Sequence, residues 1–105
     1  MDPWIQSLYQ LLRQRITQAD PQRSYTARLY HAGLDRILQK IGEEAIEVIL
    51  AAKGQGPQRV VEEVADLAYH VLVLLAALEI PPDQVLAELQ QRNSKTRAET
   101  SEPRA

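Results

Sequence analysis

Two long stretches of helix-forming sequence, separated by a very short break, constrain the fold of this chain most strongly. In the first, residues 34–53, apolar side chains recur at intervals of three and four, the spacing of one helix face. The second, residues 58–79, is apolar over much of its circumference, which is typical of a helix packed on two sides. Only KGQGPQ joins them, with two glycines and a proline that end one helix and start the next. A connection this short makes the two helices antiparallel neighbours.

The remaining sequence also divides into helices at its prolines. Asp2 and Pro3 resemble an N-cap and a first-turn proline, and they open a helix that is predicted to end near Gln18. Residues 19–26 contain turn formers and no periodicity, so a break is predicted there. Pro82 opens a last helix, and no alternation typical of a strand is visible. The predicted fold class is all-α, an antiparallel helical bundle.

The length of the chain bounds its domain organisation. With 105 residues it is predicted to form one domain, residues 1–95, followed by a polar, frayed C-terminal tail, residues 96–105. A domain of this size buries only about two thirds of the surface that its unfolded chain exposes. Since one long helix is apolar on more than one side, we expect dimerisation with a partner subunit to complete the bundle.

Charge and residue usage exclude several classes of function. The formal net charge of −2 gives no reason to expect a nucleic-acid-binding surface. The absence of cysteine excludes disulfides and thiolate metal sites, so a metal would need oxygen or imidazole ligands. The N-terminal sequence has no signal-peptide pattern, and the most apolar stretch, residues 71–80, is too short to span a bilayer. These features predict a cytoplasmic protein that binds neither nucleic acid nor membrane.

Two acidic clusters, in IGEEAIE and EEVAD, interrupt the long helices, and helical geometry divides each of them. At about 100° per residue, Glu43 and Glu62 point away from the apolar faces, as solvated surface acids do. The remaining acids lie on the flanks that border those faces, as one pair at a spacing of three on each helix. They are Glu44 and Glu47 on the first helix, and Glu63 and Asp66 on the second. Because the helices are antiparallel neighbours, the two pairs can face one another.

Four facing carboxylates need a counter-charge, because otherwise they repel each other and lose hydration. Lys40 lies beside the pairs and can offset part of this cost. A hard divalent cation would offset the rest, and Mg²⁺ suits a carboxylate site that keeps waters for a phosphate. Glutamate and aspartate are also common on solvated helix surfaces, so the residues alone support a structural reading and a metal site about equally.

Other candidate residues lie close to the acids in the sequence. A single histidine beside an apolar face, such as His70, is more often a structural residue; if functional, it would bond a leaving phosphate or orient a water. Arg36 and Lys40 lie one turn apart before the first acidic pair and could bind phosphate, although solvated surface cations are the simpler interpretation. Tyr25 is by default a partly buried packing residue.

Two segments of the chain resemble a known family. SYTARLYHAGLDRILQKIGEEAIEVILAA, followed by EEVADLAYHVLVLLAALEIPPDQVLAEL, is similar to phosphoribosyl-ATP pyrophosphohydrolase, the histidine-biosynthesis member of the all-α NTP pyrophosphatases. The resemblance covers residues 4–95. The superfamily signature, Glu-Glu-x-x-Glu and then Glu-x-x-Asp, is present, while SYTARL, KIGEEA and DLAYHVLVLL are more specific to the histidine enzyme.

The resemblance implies a reaction and a site. The reaction is Mg²⁺-dependent cleavage of the α–β phosphoanhydride of phosphoribosyl-ATP, giving phosphoribosyl-AMP and pyrophosphate, in a homodimer whose long helices pair into a bundle. The metal would neutralise the triphosphate and activate a water, and either Glu44 or Glu47 would accept the proton of that water. The implied metal ligands are Glu44, Glu47, Glu63 and Asp66. The candidate substrate-binding residues are Lys40, Arg36, Tyr25, Thr26 and His70.

Two other functions stay open. A house-cleaning nucleoside triphosphate pyrophosphatase would share the acidic signature, and only the flanking segments argue against it. A non-catalytic helical dimerisation module would use the same acids as solvated charges and would not respond to Mg²⁺. Activity on a panel of nucleotides with and without Mg²⁺ separates the three functions.

Overall fold

A computed structural model describes residues 3–99 of the chain, with side chains described over residues 3–93. This part of the chain forms five helices and no strand, so the prediction of an all-α fold is confirmed. The helices are α1 (Pro3–Gln18), α2 (Tyr25–Ala32), α3 (Leu34–Gly54), α4 (Pro57–Ala77) and α5 (Pro82–Glu99).

Helix α2 is the one described helix that the sequence reasoning missed. The predicted break at residues 19–26 ends earlier, because Ser24 caps the helix and Tyr25 already belongs to its first turn. Ser24 has extended backbone angles, and its buried hydroxyl accepts a hydrogen bond of 3.2 Å from the backbone N–H of Ala27. With only eight residues, α2 is too short to show a helical period. The serine cap was the available signal.

The C-terminal helix extends beyond the domain boundary predicted from the sequence. Helix α5 continues to Glu99, which is inside the segment 96–105 that was predicted to fray. The rest of that predicted tail, residues 100–105, lies outside the described residues, as does the predicted N-cap Asp2.

The core lies where α1 and α2 cover one half of the α3–α4 hairpin. Its buried members are Tyr9, Leu12, Ile16, Leu29, Ile37, Val73 and Ala76. Ile37 and Val73 are the largest fully buried side chains, and they come from the first half of α3 and the second half of α4. The described chain is elongated, because its radius of gyration of 15.8 Å exceeds the value of about 13 Å expected for a compact domain of this length.

The buried side of α3 differs from the face predicted from apolar spacing. That face, predicted from the sequence, included the buried Ile37 but was centred near Leu34, Ile41, Ala45 and Ala52. In the structure the buried positions are Ile37, Glu44 and Ala51. Glu44 therefore lies inside the buried side of the helix rather than at its border.

Many large apolar side chains of the hairpin are exposed instead of buried. Those on α3 and α4 are Leu34, Leu38, Ile46, Ile49, Leu50, Val61, Val64, Val71 and Leu78. None of the helices among the described residues is by itself long and apolar enough to cross a membrane. Helix α4 and the start of α5 reach the required length and composition only together, and the chain bends by 116° between them.

A single glycine, Gly33, separates α2 from α3. Its backbone angles are φ 108° and ψ 166°, a region that side chains other than glycine rarely adopt. Gly33→Ala is therefore expected to lower the free energy of unfolding by about 1–3 kcal/mol, measured by chemical denaturation.

Gly54→Ala is the matched control for this substitution. A Cβ atom would meet no other atom within 4 Å at either position, so the two changes differ only in the backbone. Gly54 is helical, and alanine there is expected to raise stability by up to about 1 kcal/mol. Equal effects at both sites would contradict the role given to the conformation of Gly33.

Candidate metal centre and active site

Two of the predicted carboxylates meet between α3 and α4. Glu44 is only 8% exposed, and it lies opposite Asp66, whose side chain is about half exposed. Carboxylate oxygens of both residues and a ring nitrogen of His70 lie within 4.8 Å of one another. The antiparallel hairpin thus brings one predicted acid from each helix to a common point.

The contact between these two acids changes their protonation. The pKa of Glu44 is raised because it shares a hydrogen bond with the Asp66 carboxyl group, and burial and the charge of Asp66 act in the same direction. Lys40 acts against this shift, with its Nζ 3.4 Å from Glu44 Oε1. Two carboxyl groups in contact are most stable with a proton between them, and this is also the place where an oxygen-binding cation would be most stabilised.

The other two predicted carboxylates lie one turn further along the hairpin. With Glu44 opposite Asp66, antiparallel pairing places Glu47 opposite Glu63. Glu47 is exposed and has no hydrogen bond or ion pair with the described side chains. Glu63 is largely buried, with 12% of its side chain exposed, and it is held by the guanidinium group of Arg59.

Arg59 is a charged neighbour of the site that was absent from the residues predicted from sequence. A signal for it exists, because QRVVEE on α4 repeats the order of residues in QKIGEE on α3. Arg59 holds the place in the second segment that Lys40 holds in the first. The repeat is too short to appear as a structural period.

His70 is buried, and both of its ring nitrogens are bound by the protein. Only 3% of the residue is exposed. Nδ1–H donates to the backbone carbonyl of Asp66 at 2.8 Å, and the Tyr25 hydroxyl donates to Nε2 at 2.8 Å. A ring with its proton on Nδ1 satisfies both contacts, and Asp66 Oδ1 lies 3.3 Å from the same nitrogen. In this arrangement neither nitrogen is open to a metal or a phosphate. The ring instead fixes the backbone of Asp66 through the hydrogen bond to its carbonyl group.

Tyr25 lies between the buried His70 and the surface of the site. It is 40% exposed, and the guanidinium carbon of Arg28 lies 5.7 Å from its ring centre. The pKa of Tyr25 is raised by burial and by Asp66, against the opposing effect of Lys40. The hydroxyl group therefore keeps its proton and remains a hydrogen-bond donor.

Thr26 belongs to the same aromatic layer but lies beneath the surface. It is 4% exposed, and its hydroxyl group is hydrogen-bonded to that of Tyr69. The rings of Tyr25 and Tyr69 stack with centres 6.5 Å apart, and both meet His70 edge-on. This layer fixes α2 against α4, so the missed helix turns out to be part of the wall of the site.

The predicted phosphate-binding cations lie on α3 beside the carboxylates. Lys40 Nζ is 3.5 Å from Glu43 and 3.4 Å from Glu44, and Arg36 lies 3.9 Å from the other Glu43 oxygen. Burial alone would lower the pKa of Lys40, but Tyr25, Glu44 and Glu43 outweigh it and raise the pKa. Lys40 is therefore a permanent cation, while Glu43 is exposed, as its outward position predicted.

A cluster of carboxylates with a cationic edge, spanning two antiparallel helices of an all-α fold, fits the class of all-α pyrophosphatases that the sequence motifs resemble. The model of the family described as phosphoribosyl-ATP pyrophosphohydrolase matches residues 5–93. The chain belongs to this family, so the family predicted from its sequence motifs and the prediction of a hydrolase are confirmed.

Individual relatives agree with the family match. A phosphoribosyl-ATP pyrophosphatase of Trichlorobacter lovleyi is 52% identical over 88 residues, which are 84% of this chain and 81% of that protein. One of Pelotomaculum thermopropionicum is 52% identical over 91 residues, or 87% and 92% of the two chains. The histidine biosynthesis bifunctional protein HisIE of Thermus thermophilus is 49% identical over 82% of this chain, and the match spans 40% of that protein.

Proposed function

We propose that this chain hydrolyses the α–β phosphoanhydride of phosphoribosyl-ATP to phosphoribosyl-AMP and pyrophosphate, a step of histidine biosynthesis, in an Mg²⁺-dependent reaction. The observation that carries the proposal is the contact between Glu44 and Asp66, made across two helices in a member of this family. A house-cleaning activity on simple nucleoside triphosphates, or a non-catalytic dimerisation module, would be an alternative outcome of the experiment described below.

The donor set of the site fits a hard divalent cation. Glu44 and Asp66 supply carboxylate oxygens close enough for one ion, and their shared hydrogen bond, the burial of Glu44 and the charge of Asp66 raise the pKa of Glu44. The proposed Mg²⁺ ligands are Glu44, Glu63 and Asp66, while Glu47, the fourth carboxylate that the sequence predicted as a ligand, is instead proposed to accept a proton. When bound, Mg²⁺ would neutralise phosphate charge and lower the pKa of a water. His70 is not among the proposed ligands, because Tyr25 and the Asp66 carbonyl occupy its nitrogens.

Glu47 is the proposed general base. It differs from Glu44 in being exposed and free of other partners among the described side chains, whereas Glu44 is bound by Lys40 and Asp66. A carboxylate with open access can accept a proton from the attacking water. The water oxygen forms a bond to phosphorus, the α–β bridging bond breaks, and pyrophosphate leaves with the bridging electron pair.

The substrate phosphates are proposed to bind along the cationic edge of α3. Lys40 and Arg36 would contact phosphate oxygens, and the exposed edge of the Tyr25 ring would line the same region. Thr26 and His70 are proposed to act on the substrate indirectly. They fix the position of Tyr25 and of the Asp66 segment through buried hydrogen bonds.

A second copy of the chain is the proposed partner of the exposed apolar surface on α3 and α4. The described chain is elongated, and large apolar side chains remain exposed along both helices of the hairpin. A homodimer that buried them would complete the predicted bundle. The proposed location is the cytoplasm.

A nucleotide panel with and without Mg²⁺ tests the reaction. Pyrophosphate release would be measured for phosphoribosyl-ATP, dCTP, dUTP and ITP, each in Mg²⁺ and in EDTA. We expect kcat/KM for phosphoribosyl-ATP to exceed the others by at least about 10³-fold, because a site that binds the second ribose phosphate leaves its polar groups unpaired with the simple nucleotides. Preference for a simple nucleotide would replace the proposal with a house-cleaning activity. Absence of hydrolysis throughout would favour a non-catalytic module.

A further inference from the structure

The two long helices carry the same six-residue pattern, a glutamine, a cation, two intervening residues and two glutamates. On α3 it is residues 39–44, and on α4 it is residues 58–63. The repeat extends to the side-chain contacts. In both copies the cation lies between the two glutamates, and the glutamine binds the first glutamate but not the second.

Each cation contacts two carboxylates, a largely buried one, here called inner, and a half-exposed one, here called outer. Lys40 Nζ is 3.4 Å from the inner Glu44 and 3.5 Å from the outer Glu43. The guanidinium group of Arg59 places one nitrogen on the inner Glu63 and the other on the outer Glu62. The inner side chains are 10% and 12% exposed, and each outer side chain is 47% exposed.

Each outer glutamate accepts a hydrogen bond from the glutamine of its own copy. Gln39 donates to Glu43 Oε2 at 2.9 Å, and Gln58 donates to Glu62 Oε2 at 3.2 Å. Each glutamine thus holds the outer carboxylate beside the cation of its own copy.

We propose that Lys40 and Arg59 are replaceable counter-charges, which pair with the inner carboxylates in the metal-free protein and move fully onto the outer glutamates when a divalent cation binds. This rests on the proposed function, because both inner carboxylates, Glu44 and Glu63, are among its metal ligands. The movement needs only side-chain rotation, since each cation already contacts its outer glutamate. The site thereby avoids buried, unpaired carboxylates without metal, and avoids a fixed cation beside the metal once it binds.

The α4 copy is the better one to test. Lys40 is itself a proposed phosphate contact, and Arg36 also lies within 3.9 Å of Glu43. Among the described side chains Glu62 has no cation other than Arg59. The experiment is a calorimetric titration of metal-free protein with Mg²⁺, without substrate, for Arg59→Gln, Glu62→Gln and the double variant.

The expected changes in Mg²⁺ affinity have opposite signs. Arg59→Gln is expected to tighten binding by about fivefold, the effect of removing one competing ion pair. Glu62→Gln is expected to weaken it by a similar factor, because Arg59 then has Glu63 as its only partner. In the double variant the weakening is expected to disappear, since the cation that used the outer glutamate is gone. Arg92→Gln, whose cation also pairs with a glutamate, Glu88, is the matched control and should leave affinity unchanged.

Simple electrostatics makes a different prediction. If Arg59 and Glu62 act only through their charges, their effects on affinity add, and Glu62→Gln weakens binding equally with or without Arg59. Additive effects, or unchanged affinity in Arg59→Gln, would overturn this inference while leaving the metal site itself intact. Absence of Mg²⁺ binding by the unsubstituted protein would instead overturn the proposed metal site, and the counter-charge role with it.

Discussion

Glu44→Gln and Asp66→Asn are each expected to lower kcat/KM for phosphoribosyl-ATP by at least about 10²–10³-fold while the helical circular dichroism spectrum is unchanged. Both changes remove a carboxylate from the point where α3 and α4 meet but keep its shape and a hydrogen-bonding group. Loss of one metal ligand costs several kcal/mol of transition-state stabilisation, which is the origin of this range. Rates would be measured as pyrophosphate release over a series of Mg²⁺ concentrations.

Two further variants separate metal binding from other effects of charge. Glu88→Gln removes an exposed carboxylate on α5 and is expected to leave kcat/KM within about twofold. Glu47→Gln is expected to lower kcat strongly and to weaken Mg²⁺ less than Glu44→Gln does, because Glu47 is the proposed base. Full activity in both Glu44→Gln and Asp66→Asn would refute the metal site.

The same Glu44 variant is expected to stabilise the metal-free protein in a pH-dependent way. Since the pKa of Glu44 is raised in the folded state, its contribution to stability is complete below the ordinary value of 4.5 and is lost as pH rises through the folded pKa. Glutamine keeps the hydrogen bond to Asp66 and does not titrate. In EDTA, Glu44→Gln should therefore raise the thermal midpoint by about 2–5 °C at pH 7 and change it little at pH 4.

Helix boundaries were the part of the fold that the sequence determined best. Proline and glycine punctuate the chain, and four predicted helices agree with α1, α3, α4 and α5 to within two residues at their described N-terminal ends. Helix α2 has only the cap Ser24 at its start and Gly33 at its end, and its eight residues are stabilised by tertiary contacts such as that between Thr26 and Tyr69. A helix that depends on distant partners leaves little local pattern in the sequence.

The candidate site was only partly predictable for the same reason. The spacing of acids on each helix, with a short connection between helices, was enough to bring Glu44 and Asp66 together. The contact between Tyr25 and His70 joins residues 45 positions apart, and no local pattern encodes it. Arg59 belongs to a local repeat, but a cation three residues before a glutamate on a helix is too common to stand out.

The error in the predicted face of α3 has a physical cause. The spacing of apolar residues does not distinguish side chains that pack in the core of their own chain from side chains that pack against another chain. Helix α3 has one apolar surface around Ile37, which faces the core, and a second that contains Leu38 and Ile49, which is exposed. The centre of the predicted face was displaced towards the second surface, because both surfaces contribute apolar residues to the spacing.

Ile49→Asp is accordingly expected to convert a homodimer of the chain into a monomer. At 11.9 kDa per chain, the unsubstituted protein should have a mass of about twice that value by light scattering after gel filtration. A symmetric interface contains each substituted residue twice, so a buried aspartate should weaken association by at least about 10²–10³-fold. Ile49 is 57% exposed in the single chain, so its own fold should tolerate the change, as circular dichroism would show.

Leu11→Asp is the matched control for the assembly, since Leu11 is an exposed apolar residue on α1 and outside the α3–α4 surface. It introduces the same charge and is expected to leave the dimer intact. Dissociation by Leu11→Asp but not by Ile49→Asp would move the interface to α1. A protein that is monomeric before any substitution would leave the exposed surface of α3 without the proposed partner, and the homodimer would be rejected. Dissociation by Ile49→Asp alone would establish that the two apolar surfaces of α3 have different partners, the chain's own core and a second copy.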